Sequence, residues 1–345
     1  MQIKRWAAIA VAAISLTALT ACSTGSADSD SDAGGAAGDA GAFPLTIENA
    51  FGETTIDAVP ERVVTVDWGN QDVALALGIV PVAMPKVTYG DEDGDGLLPW
   101  VKDKLDELGA ETPTLMDETN GYDYEAIADA QPDVILAAYS GMTEEQYDTL
   151  SKIAPVVTYQ DMAWGTTWQD MTVLNGTALG LEDEATDLVA SLEQHVTETA
   201  AQYPALEGKT TLLSYFDPTD LSTLGFYNTA DPRVGYLEEF GLVPSSYVDE
   251  QSASSDEFWI VTSTEQIESF DDVQVIVAYG TEDTIAQWQA DPLLSRIPAV
   301  ANGAVAIILS ESTASSAITP SPLSIGTSYG DEYIQLVGEA AAKAS

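Results

Sequence analysis

The stretch VVTVDWGNQDVALALGIVPVAM, residues 63–84, decides the fold. Val63 to Val66 is a short apolar run rich in β-branched residues, which reads as a buried strand. Asp67, Trp68 and Gly69 follow it. Asn70 to Leu77 is helical and stops at Gly78, and Val80 to Met84 is apolar again. Short apolar runs alternating with amphipathic ones imply parallel α/β units.

The rhythm extends in both directions. Upstream, residues 44–60 carry turn signals at Asn49 to Gly52 and at Pro60, and read as a hairpin leading into the first buried strand. Downstream, Tyr124 to Ala130 is a short helix ending before Pro132, and Val134 to Ala138 a strand. Glu144 to Ile153 is a helix and Val156 to Tyr159 a strand. Thr167 to Gln202 is a long helical window with Gly180 as its only breaker, and Leu188, Leu192 and Val196 keep helical spacing. The strand–helix alternation then restarts at Thr211. The sequence therefore predicts two Rossmann-like α/β lobes, 43–165 and 203–345, joined by one long helix over 166–202 with a kink near Gly180. The ligand cleft is expected between the lobes.

The N-terminus has its own pattern. Lys4 and Arg5 precede an apolar segment, Trp6 to Ala21, flanked like a secretory signal. It closes on Leu19-Thr20-Ala21-Cys22, which resembles the lipobox of bacterial lipoproteins. That resemblance implies a signal peptide over 1–21 and a lipid on Cys22, hence an extracytoplasmic protein anchored to the cell membrane. Residues 22–42 are mostly Gly, Ala, Ser and Asp and read as a flexible tether. Cys22 is the one cysteine, so no disulfide forms within the chain. With 56 acidic against 11 basic residues, the net charge is −45. A nucleic-acid partner is excluded, because phosphate binding needs clustered Lys and Arg.

Four segments together resemble the substrate-binding lipoproteins of iron–siderophore and cobalamin ABC importers. They are Glu61-Arg62-Val63-Val64 running into Asp67 to Val82, Tyr124 to Leu136, Leu150 to Val157, and Pro292-Leu293-Leu294 ahead of Ile297 to Val300. The resemblance implies a two-lobed, helix-linked binding protein, with a ferric siderophore as ligand rather than a bound cofactor. It implies an ABC permease and its ATPase as partners. In that family one glutamate per lobe docks onto arginines of the permease, and the matching positions are Glu125 and Glu265. Both also stand at the starts of short helices, where a carboxylate is favoured by the helix dipole. A monomer is expected.

The loops leaving the strands carry Asp67, Trp68, Lys86, Tyr89, Tyr139, Trp164 and Trp168 in the first lobe. In the second they carry Tyr215, Phe226, Tyr227, Arg233, Trp259 and Tyr279. These loops are rich in aromatic rings and poor in cations. Trp and Tyr suit a bulky amphipathic chelate and attract cationic groups. A ferric tricatecholate or ferric citrate would call for several arginines, whereas Lys86, Arg233 and Arg296 are the only candidates. The expected ligand is therefore a neutral or cationic ferric hydroxamate. Arg233 reads either as a donor to hydroxamate oxygens or as half of a salt bridge to Asp231, Glu238 or Glu239. Trp68 and Trp259 read as cleft walls or as core.

Other chemistries are weaker. Haem or cobalamin is the alternative ligand, with Tyr89, Tyr139 or Tyr279 as a haem ligand. Asp91, Asp93 and Asp95 begin a D-x-D-x-D-G calcium-loop pattern, but Lys102 stands at the twelfth position where a bidentate Glu belongs. His195, the single histidine, lies mid-helix, so neither a direct zinc site nor a Ser–His–Asp triad is expected. No G-x-S-x-G elbow or P-loop occurs. An acidic surface hydrolase is the alternative from another class, and the chain is not read as an enzyme.

Overall fold

The computed structural model describes residues 40–215, 220–255 and 257–344. The signal segment, Cys22 and the tether up to residue 39 lie outside those residues. Strands β1 (Leu45–Asn49) and β2 (Gly52–Ile56) form the antiparallel hairpin expected from the turn signals. The first lobe continues with β3 (Val63–Thr65), α1 (Asn70–Ala76), β4 (Ala83–Pro85), α2 (Pro99–Glu107) and β5 (Thr114–Met116). Then come α3 (Tyr124–Asp129), β6 (Val134–Ala137), α4 (Glu144–Leu150) and β7 (Val156–Thr158). The five strands β3 to β7 are all parallel, in the order β5-β4-β3-β6-β7. Every residue of β3, β4, β6 and β7 is buried, as strands covered on both faces require.

The window 166–202 departs from its expected form. It folds as two helices, α5 (Trp168–Ala178) and α6 (Glu182–Ala200). Gly180 takes φ 73°, its N–H donates to Thr177 O at 2.9 Å, and Leu181 N–H donates to Gly176 O at 2.8 Å. That pair of bonds is a Schellman stop, and it turns a kink into a reversal. The helices then pack side by side. A Cβ on Gly176 would lie 2.3 Å from the Ala185 Cβ, so only glycine permits this approach. Gln169 Nε2 reaches Glu193 Oε1 at 3.4 Å near the other end. Within this window the link is thus α6. Its Ala185 packs in a core of the first lobe, and Leu192, Val196 and Ala200 pack in one of the second.

The second lobe holds β8 (Thr210–Tyr215), β9 (Thr223–Tyr227), α7 (Pro232–Glu239), β10 (Val243–Pro244), α8 (Ser246–Ser252) and β11 (Trp259–Ser263). It continues with β12 (Val275–Gly280), α9 (Thr284–Ala290), α10 (Pro298–Asn302) and β13 (Val305–Leu309). The closing helices are α11 (Thr313–Ala317), α12 (Pro322–Ile325) and α13 (Ser328–Ala341). The sheet runs β11-β9-β8-β12-β13, with β10 beside the start of β8. It is mixed: β9 is antiparallel to both β8 and β11.

A second crossing joins the lobes. Helix α12 packs on α1 and α2 of the first lobe, and α13 returns to β12 and β13. At this seam the buried Asp72 carboxylate accepts the Ser321 hydroxyl at 2.5 Å and the Trp100 indole N–H at 2.9 Å, both on Oδ2. Near it, Thr313 N–H donates to Glu92 Oε1 at 2.8 Å, and Ser316 Oγ to Tyr89 O at 3.1 Å.

Candidate ligand-binding cleft

In the first sheet the chain order reverses between β3 and β6, and ligands of open α/β sheets bind at such switch points. The loops that leave these two strands are stitched together by Asn70. Its Nδ2 donates to Val66 O and Tyr139 O at 2.9 and 3.0 Å. Its Oδ1 accepts from Tyr139 N–H and from Asn175 Nδ2 at 3.3 and 2.9 Å. Asn70 is fully buried, so it fixes the loops that present Trp68 and Tyr139.

A cavity of about 480 Å³ opens between the lobes. Trp68 and Tyr89 line it from the first lobe. Tyr215, Tyr227, Arg233 and Tyr279 line it from the second, with Ser310, Glu311, Ser315 and Thr319 along one end. The single guanidinium among these residues is not free. Arg233 Nε and Nη2 donate to Asp231 Oδ1 and Oδ2 at 2.9 and 2.6 Å. Nη1 donates to the Tyr279 hydroxyl at 3.0 Å, and the guanidinium carbon lies 4.0 Å from the Tyr227 ring centre. The fork is held flat against one ring and its charge is balanced within the site.

A smaller chamber of about 220 Å³ shares Trp68 and Tyr89 with the cleft. Lys86, Trp164, Asp67, Gln71 and Glu118 also line it. Asp67 N–H donates to Glu118 Oε2 at 2.9 Å, and the Tyr122 hydroxyl donates to Asp67 Oδ2. Burial raises the Asp67 carboxyl to about 6, against the opposing Tyr122 bond. Burial and the neighbouring Asp67 charge raise Glu118 to about 8. Trp164 is 39% exposed, and its ring rests on Gly141, where a Cβ would meet Trp164 Nε1 at 2.3 Å. Four non-glycine residues among those described have positive φ, and three of them, Asp67, Trp164 and Glu311, line these two cavities. Such strain gathers where a scaffold fixes a functional geometry.

The remaining candidates fall elsewhere. Tyr139 is mostly buried, with its ring centre 5.2 Å from that of Trp164, and its phenol lies within the fields of Asp231 and Arg233 from the other lobe. Trp259 packs 4.8 Å from Tyr227 and over Gly225, behind the cleft wall. Two expected ligand residues are corrected to core. Phe226 is 0% exposed, because it sits inside β9 rather than in a loop. Trp168 is 2% exposed, and its indole N–H donates to Glu239 Oε1 at 3.0 Å, a contact between the lobes.

Residues 63–311 match the profile of the family described as Periplasmic binding protein. The chain belongs to that family. It is 41% identical to Streptococcus pneumoniae TIGR4 PiaA, whose crystal structure in complex with ferrichrome gives a TM-score of 0.83 over 87% of this chain and 100% of that one. Probable siderophore-binding lipoprotein YfiY of Bacillus subtilis (strain 168) is 27% identical over 269 residues, 75% of this chain and 78% of that protein. Fe(3+) dicitrate-binding periplasmic protein FecB of Escherichia coli (strain K12) is 26% identical over 276 residues, 77% of this chain and 83% of that protein.

In this periplasmic binding protein, Glu125 is exposed in the first turn of α3. Glu265 is exposed in the first turn of the 3-10 helix Thr264–Phe270, on the other lobe. In the D-x-D-x-D-G segment the carboxylates are met by protein groups. Asp91 accepts Gly94 and Gly96 N–H at 2.8 Å each, and Lys102 Nζ lies 2.5 Å from Asp95 Oδ2 and 3.8 Å from Asp93. The lysine at the twelfth position supplies the positive charge that a cation would bring. Among the described residues no group of three His, Cys, Asp or Glu is placed to hold a metal ion. His195 Nε2 pairs with Asp331 Oδ1 at 2.8 Å and ties α6 to α13. Asn70, Glu118 and Gln71 are contributors that sequence reasoning missed, whereas the loop Ser310 to Ser316, expected after the last strand, does reach the cleft. The signal of those three was position after a strand rather than residue type.

Proposed function

We propose that this protein captures a ferric siderophore, a neutral or cationic hydroxamate, outside the cytoplasmic membrane and delivers it to an ABC importer. Residues 43–165 and 203–345 act as its two lobes, with 166–202 between them. The observation that carries this reading is the Arg233–Asp231 pair inside an aromatic cleft. A trianionic catecholate or citrate chelate needs uncompensated positive charge, whereas here the arginine is balanced and Glu311 adds a carboxylate. The Arg233 N–H groups and the tyrosine hydroxyls suit the neutral oxygen shell of a ferric trihydroxamate, and flat rings suit its apolar linkers. The likeness to the ferrichrome complex of PiaA points the same way.

Haem is not favoured. A tyrosine ligand binds haem as phenolate, and burial raises both Tyr139 and Tyr279 well above the ordinary phenol range. In the proposed cycle Glu125 and Glu265 meet arginines of the permease, one from each lobe, and the partner ATPase drives release. A lipid on Cys22 holds the protein at the membrane. The chain acts as a binder rather than a catalyst.

Titration of tryptophan fluorescence with a panel of chelates tests the ligand class, since Trp68 lines the cleft. Saturable quenching by ferrichrome or ferrioxamine, with weak response to ferric enterobactin, is expected. Tight binding of ferric enterobactin with no response to either hydroxamate overturns it.

A further inference from the structure

The side chamber next to the cleft is chemically unlike it. The cleft is aromatic and its one arginine is paired with Asp231, whereas the chamber sets two neighbouring carboxyl groups and Lys86 among aromatic walls. Asp67 and Glu118 meet through the Asp67 N–H, and that bond uses only Glu118 Oε2. Among the described residues, Glu118 Oε1 has no hydrogen-bond partner. Gln71 lines the same chamber, is 4% exposed, and its Oε1 is also without a partner. The Gln71 oxygen is an acceptor, as is whichever of the two carboxyls is ionised, and an acceptor left unmet in a buried setting is costly. An alkylammonium group supplies three donors at once. Trp68, Trp164 and Tyr89 also line the chamber, and the faces of such rings attract a cation.

We propose that this chamber is a subsite for an alkylammonium group carried by the chelate, an inference that rests on the cleft being a hydroxamate site. The chelate's iron core sits between the lobes, and its amine-bearing arm passes Trp68 and Tyr89 into the chamber. Burial raises both carboxyls, and the Asp67 charge raises Glu118 further, so the pair carries one proton and one negative charge at neutral pH. One negative charge matches one ammonium. Lys86 also borders the chamber, but it is exposed and its charge acts on Asp117.

The test is calorimetric titration with two probes, the gallium(III) complexes of desferrioxamine B and of its N-acetyl derivative. They share a trihydroxamate core and differ in the terminal amine. The wild-type protein is expected to bind the amine form about tenfold more tightly, the usual worth of one charge-assisted contact. Glu118→Gln with Asp67→Asn should erase that preference and leave affinity for the acetylated form unchanged. Asn tolerates the φ of 60° at position 67, and Gln still accepts the Asp67-position N–H, so the fold is kept. Glu118→Gln alone, which leaves the strained position intact, is the second variant and should shrink the preference. Equal affinities in the wild type, or a preference that survives both variants, overturn the subsite while the hydroxamate reading stands. Failure of both probes to bind overturns the subsite, and the hydroxamate reading falls with it only if ferrichrome, titrated alongside, also fails to bind.

Discussion

Arg233 grips Asp231 through two parallel hydrogen bonds, Nε to Oδ1 at 2.9 Å and Nη2 to Oδ2 at 2.6 Å. Its remaining nitrogen points at the Tyr279 hydroxyl, 3.0 Å away. The guanidinium is therefore fixed in direction and cancelled in charge, which makes it a shaped donor rather than a magnet for anions. Arg233→Lys keeps the charge but loses the fork, and should weaken a ferric trihydroxamate by about tenfold or more. Asp231→Asn uncovers the charge. It should shift the balance of affinities toward anionic chelates such as ferric dicitrate, as measured by fluorescence titration.

Phe226 and Tyr227 are neighbours on β9 with opposite fates. Phe226 is sealed in a core with Phe270 and Tyr247, whereas Tyr227 lines the cleft under Arg233. Phe226→Ala should cost about 3–5 kcal/mol of stability and leave the affinity of folded protein unchanged. Tyr227→Ala should do the reverse, lowering affinity with a small change in Tm. Denaturant titration beside ligand titration separates the two.

Asp72 at the seam between the lobes is wholly buried, and burial raises its carboxyl to about 6 against bonds from Ser321, Trp100 and Gln71. A carboxyl raised above its unfolded value of 3.8 holds its proton more tightly when folded. Its contribution is thus most favourable below pH about 4, falls between about 4 and 6, and stays low above that. The drop is on the order of 2–3 kcal/mol. Both donors converge on Oδ2, an oxygen that asparagine reproduces. The Tm of Asp72→Asn should therefore gain on the wild type as pH rises from 5 to 7, and parallel pH profiles would contradict this.

Glu125 and Glu265 are exposed on separate lobes. Replacing both by Arg should abolish uptake in cells while stability moves by less than about 0.5 kcal/mol, as surface changes do. Ligand affinity should not change. A loss of affinity would assign these residues to the fold or the cleft instead of to docking.

The first lobe was legible because most of its strands are short, mainly apolar runs alternating with amphipathic helices. Helix α2 and strand β5 were not, because β5 is three residues with a polar start and α2 opens on Leu98-Pro99. In the second lobe β9 and β11 escaped notice. Gly225 interrupts the apolar run TLGFY, and its missing side chain makes room for the Trp259 ring, whose Cζ2 would lie 1.9 Å from a Cβ there. With β9 unseen, Phe226 was placed in a loop. The cleft was legible as aromatic loops, and six of the thirteen loop residues named from the sequence line it. What sequence could not supply was pairing at a distance: Asp67 with Glu118, Asn70 with Tyr139, Asp72 with Ser321. Each joins segments far apart in the chain, and nothing in local pattern announces such partners.

The return of α12 to the first lobe has a mechanical consequence. A clamshell hung on α6 alone can twist as well as gape. With a second strut fastened at Ser321, torsion is resisted and hinge bending about a line through both struts is the soft coordinate. Whatever reads the two rims from outside then receives a single number, their spacing.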